Sequence, residues 1–215
     1  APLKEALAGD FEVHSLNFTG HGGRAWSEAD FSMDLFAQDV LTYLDENSLT
    51  QTDILGYSMG GYVALYLALR KPQRVHRIWT IATKFAWSPE TATREVKMLA
   101  PSTITAKVPA FAKALAARHA PQSWQQHLTK TATMMRNLGQ GAALQTTHFA
   151  AIPHRVWLTV GTEDKMVSQE ETQRVADALP NATFEALEGL PHPIEKMPVA
   201  ALRQRAIAYF TAEKA

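Results

Sequence analysis

The chain has no cysteine among its 215 residues. That excludes disulfide scaffolds, thiolate metal sites and cysteine nucleophiles. It also has no net charge, with 21 basic residues set against 21 acidic ones. This argues against a nucleic-acid binder working through a broad basic face, and against an acidic interaction tail. No apolar run approaches the 18 or more residues that about one membrane span requires. There is no signal-peptide pattern, no internal repeat and no low-complexity run. Metal patterns are missing too: there is no H-E-x-x-H, no H-x-x-x-H and no carboxylate cluster of loop spacing. The glycines form neither G-x-G-x-x-G nor a phosphate loop, so no nucleotide or other cofactor is expected. What the sequence does have is apolar substance, 46% of the residues, enough for a sizeable core. At about 150 residues per domain, the length suggests one domain with an insertion.

Strand-like and helix-like segments alternate, which predicts an α/β fold with a parallel sheet. Strands are predicted over Phe11–Leu16, Asp53–Tyr57, Arg77–Ala82, Arg155–Val160 and Thr183–Leu187. Helices are predicted over Asp30–Asp45, Gly60–Arg70, Ser168–Leu179 and Val199–Phe210. Ser168 and Glu171 form an S-x-x-E capping box. The stretch 85–152 differs in texture, being rich in Ala, Lys, Gln and Met. It reads as helices around Glu90–Leu99, Val108–His119 and Ser123–Leu138. The predicted division is therefore a core of residues 1–84 and 153–215, with 85–152 inserted over the strand ends.

The sharpest local signal is Gly56-Tyr57-Ser58-Met59-Gly60-Gly61, between a predicted strand and a predicted helix. A one-residue turn there strains Ser58 and calls for small neighbours at Gly56 and Gly60. It leaves the Ser58 oxygen exposed at a helix N-terminus. The Met59 backbone N–H then points at any negative charge that forms beside it, as an oxyanion donor would. A serine nucleophile needs a base, and the base needs an orienting acid. Asp164 follows the strand that begins at Arg155, and His192 follows the last strand. The order Ser58, Asp164, His192 suits a triad at the strand C-termini, where open α/β sheets bind ligands. Glu163 is a rival acid. The other seven histidines, His14, His21, His76, His119, His127, His148 and His154, read as surface or packing residues.

Four ordered stretches resemble the α/β-hydrolase family of serine esterases and lipases, across nearly the whole chain. G-Y-S-M-G-G is similar to its nucleophile elbow, at Ser58. G-T-E-D-K-M-V is similar to its acid loop, at Asp164, and L-P-H-P-I-E-K-M-P to its histidine loop, at His192. F-E-V-H-S-L-N-F-T-G-H-G-G-R is similar to its fourth strand and the loop after it, with Asn17 where Asp is usual. The resemblance implies an eight-stranded sheet and makes 85–152 a helical cap. Nothing ahead of Phe11 matches the family's first three strands or the oxyanion loop among them. A second oxyanion donor therefore has no visible source, and the sequence reads as a truncated or incomplete hydrolase.

The activity implied is two-step acyl transfer to water by Ser58, His192 and Asp164, with a small ester as substrate. Thioesterase, carbon–carbon bond hydrolase and proline aminopeptidase activities use the same triad. A non-catalytic binding protein on this fold is the reading from another class. Candidate substrate contacts are Met59, Trp87, Phe111, Trp124 and Met135, and their apolar character points to an apolar acyl or aryl group. Only Lys165 and Lys196 lie near the triad loops, so an anionic substrate is not indicated. The expected partner is a small molecule, with no nucleic acid and no membrane. A monomer or homodimer in the cytoplasm is the default expectation.

Overall fold

The computed structural model describes residues 2–212. Its centre is a sheet of four parallel strands in the order β1 (Thr52–Tyr57), β2 (Val75–Ile81), β3 (Arg155–Gly161) and β4 (Ala182–Leu187). The register sets Tyr57 beside Ile81, Ile81 beside Thr159, and Gly161 beside Leu187. The C-terminal ends of all four strands thus reach the same edge of the sheet, and the loops after them meet there.

β-branched and aromatic residues dominate β2 and β3, and both strands are buried on two faces as parallel strands are. Alternation sorts their side chains. Ile78, Val156 and Leu158 face one layer, which is built by α2 (Met33–Glu46), α3 (Met59–Arg70) and α9 (Gln169–Ala178). Trp79, Ile81 and Trp157 face the other, built by α1 (Pro2–Leu7) and α10 (Val199–Thr211). Trp79 stacks on Trp157 with ring centroids 4.6 Å apart, and its indole N–H donates to Thr159 Oγ1 at 3.0 Å. A buried indole N–H left unpaired would cost about 1–3 kcal/mol, so this bond is what makes Trp tolerable there. Ser32 and Ser168 cap α2 and α9 as the sequence suggests, and the Ser168–Glu171 box is formed.

Between β2 and β3 the chain is helical: α4 (Pro89–Lys97), α5 (Pro101–Lys107), α6 (Pro109–His119), α7 (Trp124–Asn137) and α8 (Thr146–Ala150). α4, α6 and α7 match the three predicted helices, while α5 and α8 are additional short ones. Glu171 ties this segment to the core, accepting from the Phe85 and Ala86 N–H groups at 2.9 and 3.2 Å.

The first predicted strand is not a strand. Phe11–Leu16 is without ladder bonds, although Phe11 and Val13 do turn inward onto the α1–α10 layer. Alternation decides which side chains go in; a strand also needs a neighbour's N–H and C=O groups. The nearest sheet edge, β1, stands across a groove of about 480 Å³ lined by Phe11, Val13, Thr52 and Leu55. The described sheet accordingly has four strands rather than eight.

Candidate active site

Ser58 joins β1 to α3 with φ 51° and ψ −118°, a backbone conformation rare for a residue with a side chain. Three bonds hold it there. The Ser58 N–H donates to Ile81 O at 2.8 Å, continuing the β1–β2 ladder. The Ser58 carbonyl accepts from the Gly61 N–H at 3.1 Å and from Thr83 Oγ1 at 2.9 Å. The steric demand differs from the sequence expectation. A Cβ on Gly56 would stand 2.5 Å from the Gly61 backbone, and one on Gly61 would overlap Thr83 Oγ1. A Cβ on Gly60 would meet nothing within 4 Å. The tight pair is therefore Gly56 and Gly61, because it is the third residue of the helix that turns back against the strand.

Ser58 Oγ lies 3.5 Å from His192 Nε2. His192 Nδ1 lies 2.8 Å from Asp164 Oδ2, and the Asp164 side chain is wholly buried. The other carboxylate oxygen accepts from the Met166 and Val167 N–H groups at 2.7 and 2.9 Å. With two amides on one oxygen, Asp164 is oriented by the backbone of its own loop. Glu163, the rival acid, is exposed. Tyr57 adds a support that no motif announces: its hydroxyl donates to His192 O at 3.1 Å and anchors the histidine loop on β1. Thr83 is a second such residue. Tyr57 ends β1 and Thr83 lies two residues past β2, and only the tertiary structure shows what they touch.

Beside Ser58 is a cavity of about 220 Å³. Met59, Trp87 and Met135 line it, as expected. Phe111 and Trp124 do not. Phe111 is 49% exposed on α6. Trp124 is buried with Ile104, Ala112, Leu115 and Leu128, a separate cluster that closes α5, α6 and α7 on one another. The reason is geometric: Ala112 and Leu115 form the inward face of α6, and Phe111 is one residue off it. Five of the seven methionines (Met33, Met59, Met134, Met135 and Met166) line the cavity, giving it an unbranched, adaptable wall.

Two histidines read from the sequence as surface or packing residues, His21 and His127, also line this cavity. So do Lys84 and Glu95, from the loop after β2 and from α4. Lys84 Nζ donates to Met166 O at 3.1 Å and faces Glu171 and Glu95 carboxylates at 3.6 and 3.9 Å. Its charge is thereby balanced inside the wall.

Ser58 at the strand–helix turn after β1, Asp164 after β3 and His192 after β4 thus meet at one edge of a parallel sheet. Comparison with known proteins identifies the fold family. The alpha/beta hydrolase fold family matches residues 1–139, and the chain belongs to that family. A pimeloyl-[acyl-carrier protein] methyl ester esterase of Aeromonas hydrophila is 37% identical over 79 residues, 36% of this chain and 30% of that protein. A Caulobacter segnis protein named for carbamate hydrolysis is 28% identical over 205 residues, 86% of this chain and 76% of that protein. The enol-lactonase of Burkholderia xenovorans superposes with a TM-score of 0.76 at 20% identity, over 99% of this chain and 85% of that one. The chain thus spans under a third of the esterase and about three quarters of the carbamate-hydrolase relative. No helix among the described residues is long and apolar enough to cross a membrane.

Proposed function

We propose that the protein is a serine hydrolase that cleaves a small, largely apolar carboxylic ester or related acyl compound by way of an acyl-enzyme. The observation that carries this reading is the relay from Ser58 Oγ through His192 to the buried Asp164 carboxylate. The Nδ1–H faces a carboxylate, so Nε2 offers its lone pair to the serine. His192 takes the Ser58 proton as Oγ attacks the acyl carbon, and Asp164 balances the imidazolium that results. The leaving alkoxide departs with that proton. Water, deprotonated by the same histidine, then releases the acid and frees Ser58. Negative charge on the acyl oxygen falls near the Met59 N–H, the first amide of α3, which has no carbonyl within the helix. The serine–histidine separation is 3.5 Å, and the pair closes to about 2.6–3.2 Å for proton transfer.

The helices of 85–152 act in this reading as a cap, since Trp87, Met134 and Met135 roof the cavity. The relatives named for methyl ester and carbamate cleavage both break an acyl bond to a heteroatom, which favours acyl chemistry over carbon–carbon cleavage. The test is hydrolysis of a short-chain p-nitrophenyl ester by the protein and by a Ser58→Ala variant of matching circular dichroism. Turnover by the former alone supports the reading. Equal rates from both, or none from a folded wild type across ester, thioester and carbamate substrates, would overturn it.

A further inference from the structure

Three imidazoles gather beside Ser58. The His127 ring centroid lies 4.3 Å from that of His21 and 3.9 Å from that of His119. They come from two distant parts of the chain, the loop ahead of α2 and the α6–α7 hairpin. Packing holds His21, whose ring lies 5.2 Å from both Phe31 and Phe36. His119 stands behind and does not reach the cavity. His21 and His127 do reach it.

Their hydrogen bonds fix their tautomers. His21 Nδ1 lies 3.0 Å from Thr19 O, and His127 Nδ1 lies 3.0 Å from Gly20 O. A carbonyl oxygen only accepts, so Nδ1 carries the proton in both rings. Burial holds both rings below the ordinary histidine value, His127 at about 4, and the crowding of like groups adds to this. Neutral rings protonated at Nδ1 have a bare lone pair at Nε2. Among the described residues neither Nε2 has a protein partner. Other polar groups of the cavity wall are engaged elsewhere: Lys84 faces three acceptors, the Glu95 carboxylate pairs with Arg94 and Lys84, Thr131 Oγ1 donates to His127 O, and Tyr62 Oη accepts from the Leu144 N–H.

We infer that His21 and His127 form a hydrogen-bond-accepting wall that selects substrates carrying a neutral donor, an O–H or N–H, on the part of the molecule lying in the cavity. The inference rests on the hydrolase reading of the same site and narrows its substrate class from apolar acyl compounds to donor-bearing ones. An isosteric methyl group there would leave two lone pairs dry, and an anion would meet two acceptors.

The experiment separates the two readings by measuring binding where no turnover can occur. The Ser58→Ala protein is titrated with ethyl 3- and 4-hydroxyphenylacetate, and with the matching methyl and methoxy compounds. Turnover of the same esters by wild type reports on the hydrolase reading independently. One neutral hydrogen bond predicts that at least one hydroxy compound binds about 3- to 10-fold tighter than its methyl and methoxy counterparts. His127→Asn keeps a donor near the Nδ1 position but removes one acceptor at Nε2 and should lower that ratio, and the same change at both His21 and His127 should bring it close to one. His127→Gln carries an acceptor out to the Nε2 position and should restore part of it, which a purely structural role would not do. Imidazole ¹⁵N shifts of the unmodified protein give a check that needs no variant: both rings should be neutral with the proton on Nδ1. Equal or tighter binding of the methyl compounds at both ring positions, or a proton on Nε2, would overturn the inference.

Discussion

Neighbouring glycines at the start of α3 should respond oppositely to the same change. Replacing Gly by Ala at a compatible backbone position stabilises by about 0.4–1 kcal/mol, because the unfolded chain loses freedom. Gly60 has open space at its Cβ position and no positive φ, so Gly60→Ala should gain that amount. At Gly61 the same methyl would overlap Thr83 Oγ1 and stand 3.0 Å from both Gly56 O and Thr80 Cβ. Thr83 is only 1% exposed and cannot swing into solvent. Overpacking of this kind costs about 1–3 kcal/mol. Displacing Thr83 also breaks its 2.9 Å bond to Ser58 O, a further loss of roughly 0.5–1.5 kcal/mol. Set against the propensity gain, Gly61→Ala should destabilise by about 0.5–4 kcal/mol. Thr83→Ala alone should cost about 0.5–1.5 kcal/mol for its hydrogen bond. The double variant removes the Thr83 overlap, leaving only the 3.0 Å contacts to Gly56 O and Thr80 Cβ, so it should be more stable than the sum of the two by about 1–2 kcal/mol. Urea denaturation midpoints at constant slope measure all four proteins. Because Thr83 holds the Ser58 carbonyl, Gly61→Ala should also slow ester hydrolysis by about 10- to 10²-fold without loss of helix content. Equal shifts at Gly60 and Gly61, or strict additivity of Gly61→Ala with Thr83→Ala, would refute the packing account of the elbow.

Asp164→Asn keeps an acceptor for the Met166 and Val167 N–H groups but loses the one facing His192. Turnover should fall by about 10³–10⁴-fold with little change in melting temperature. Glu171→Ala strips the buried Phe85 N–H of its acceptor and should cost at least about 1–3 kcal/mol, whereas Glu171→Gln should cost less, as calorimetry would show. His127 refuses a proton until about pH 4, while the unfolded chain accepts one near the ordinary 6.5. Between those values the unfolded state binds more protons, so stability should fall as pH drops through that window and level off below it. The contribution is on the order of 2–3 kcal/mol, and His127→Gln should flatten that part of a pH–stability profile.

Much of the site is legible in linear order. Ser58, Asp164 and His192 can be found because each follows a strand, and local periodicity reveals strands and the turns that end them. The supports of the site leave no such trace. Tyr57 at the end of β1 and Thr83 just past β2 look ordinary until the fold brings one under His192 O, in the loop after β4, and the other against Ser58 O. His21 and His127 are separated by more than a hundred residues, and no spacing rule connects them.

Local pattern and chain direction account for the order of β1 to β4, the parallel α/β class, the elbow and the three residues brought to one sheet edge. Tertiary packing settled the rest. It left Phe11–Leu16 unpaired, because a ladder depends on a neighbouring edge and not on alternation. It assigned the close approach to Gly61 rather than Gly60, because that contact is between a helix and a strand. It turned Trp87 and Met135 toward the cavity, and Trp124 and Phe111 away, because a helix offers several apolar faces and only its packing partners choose among them.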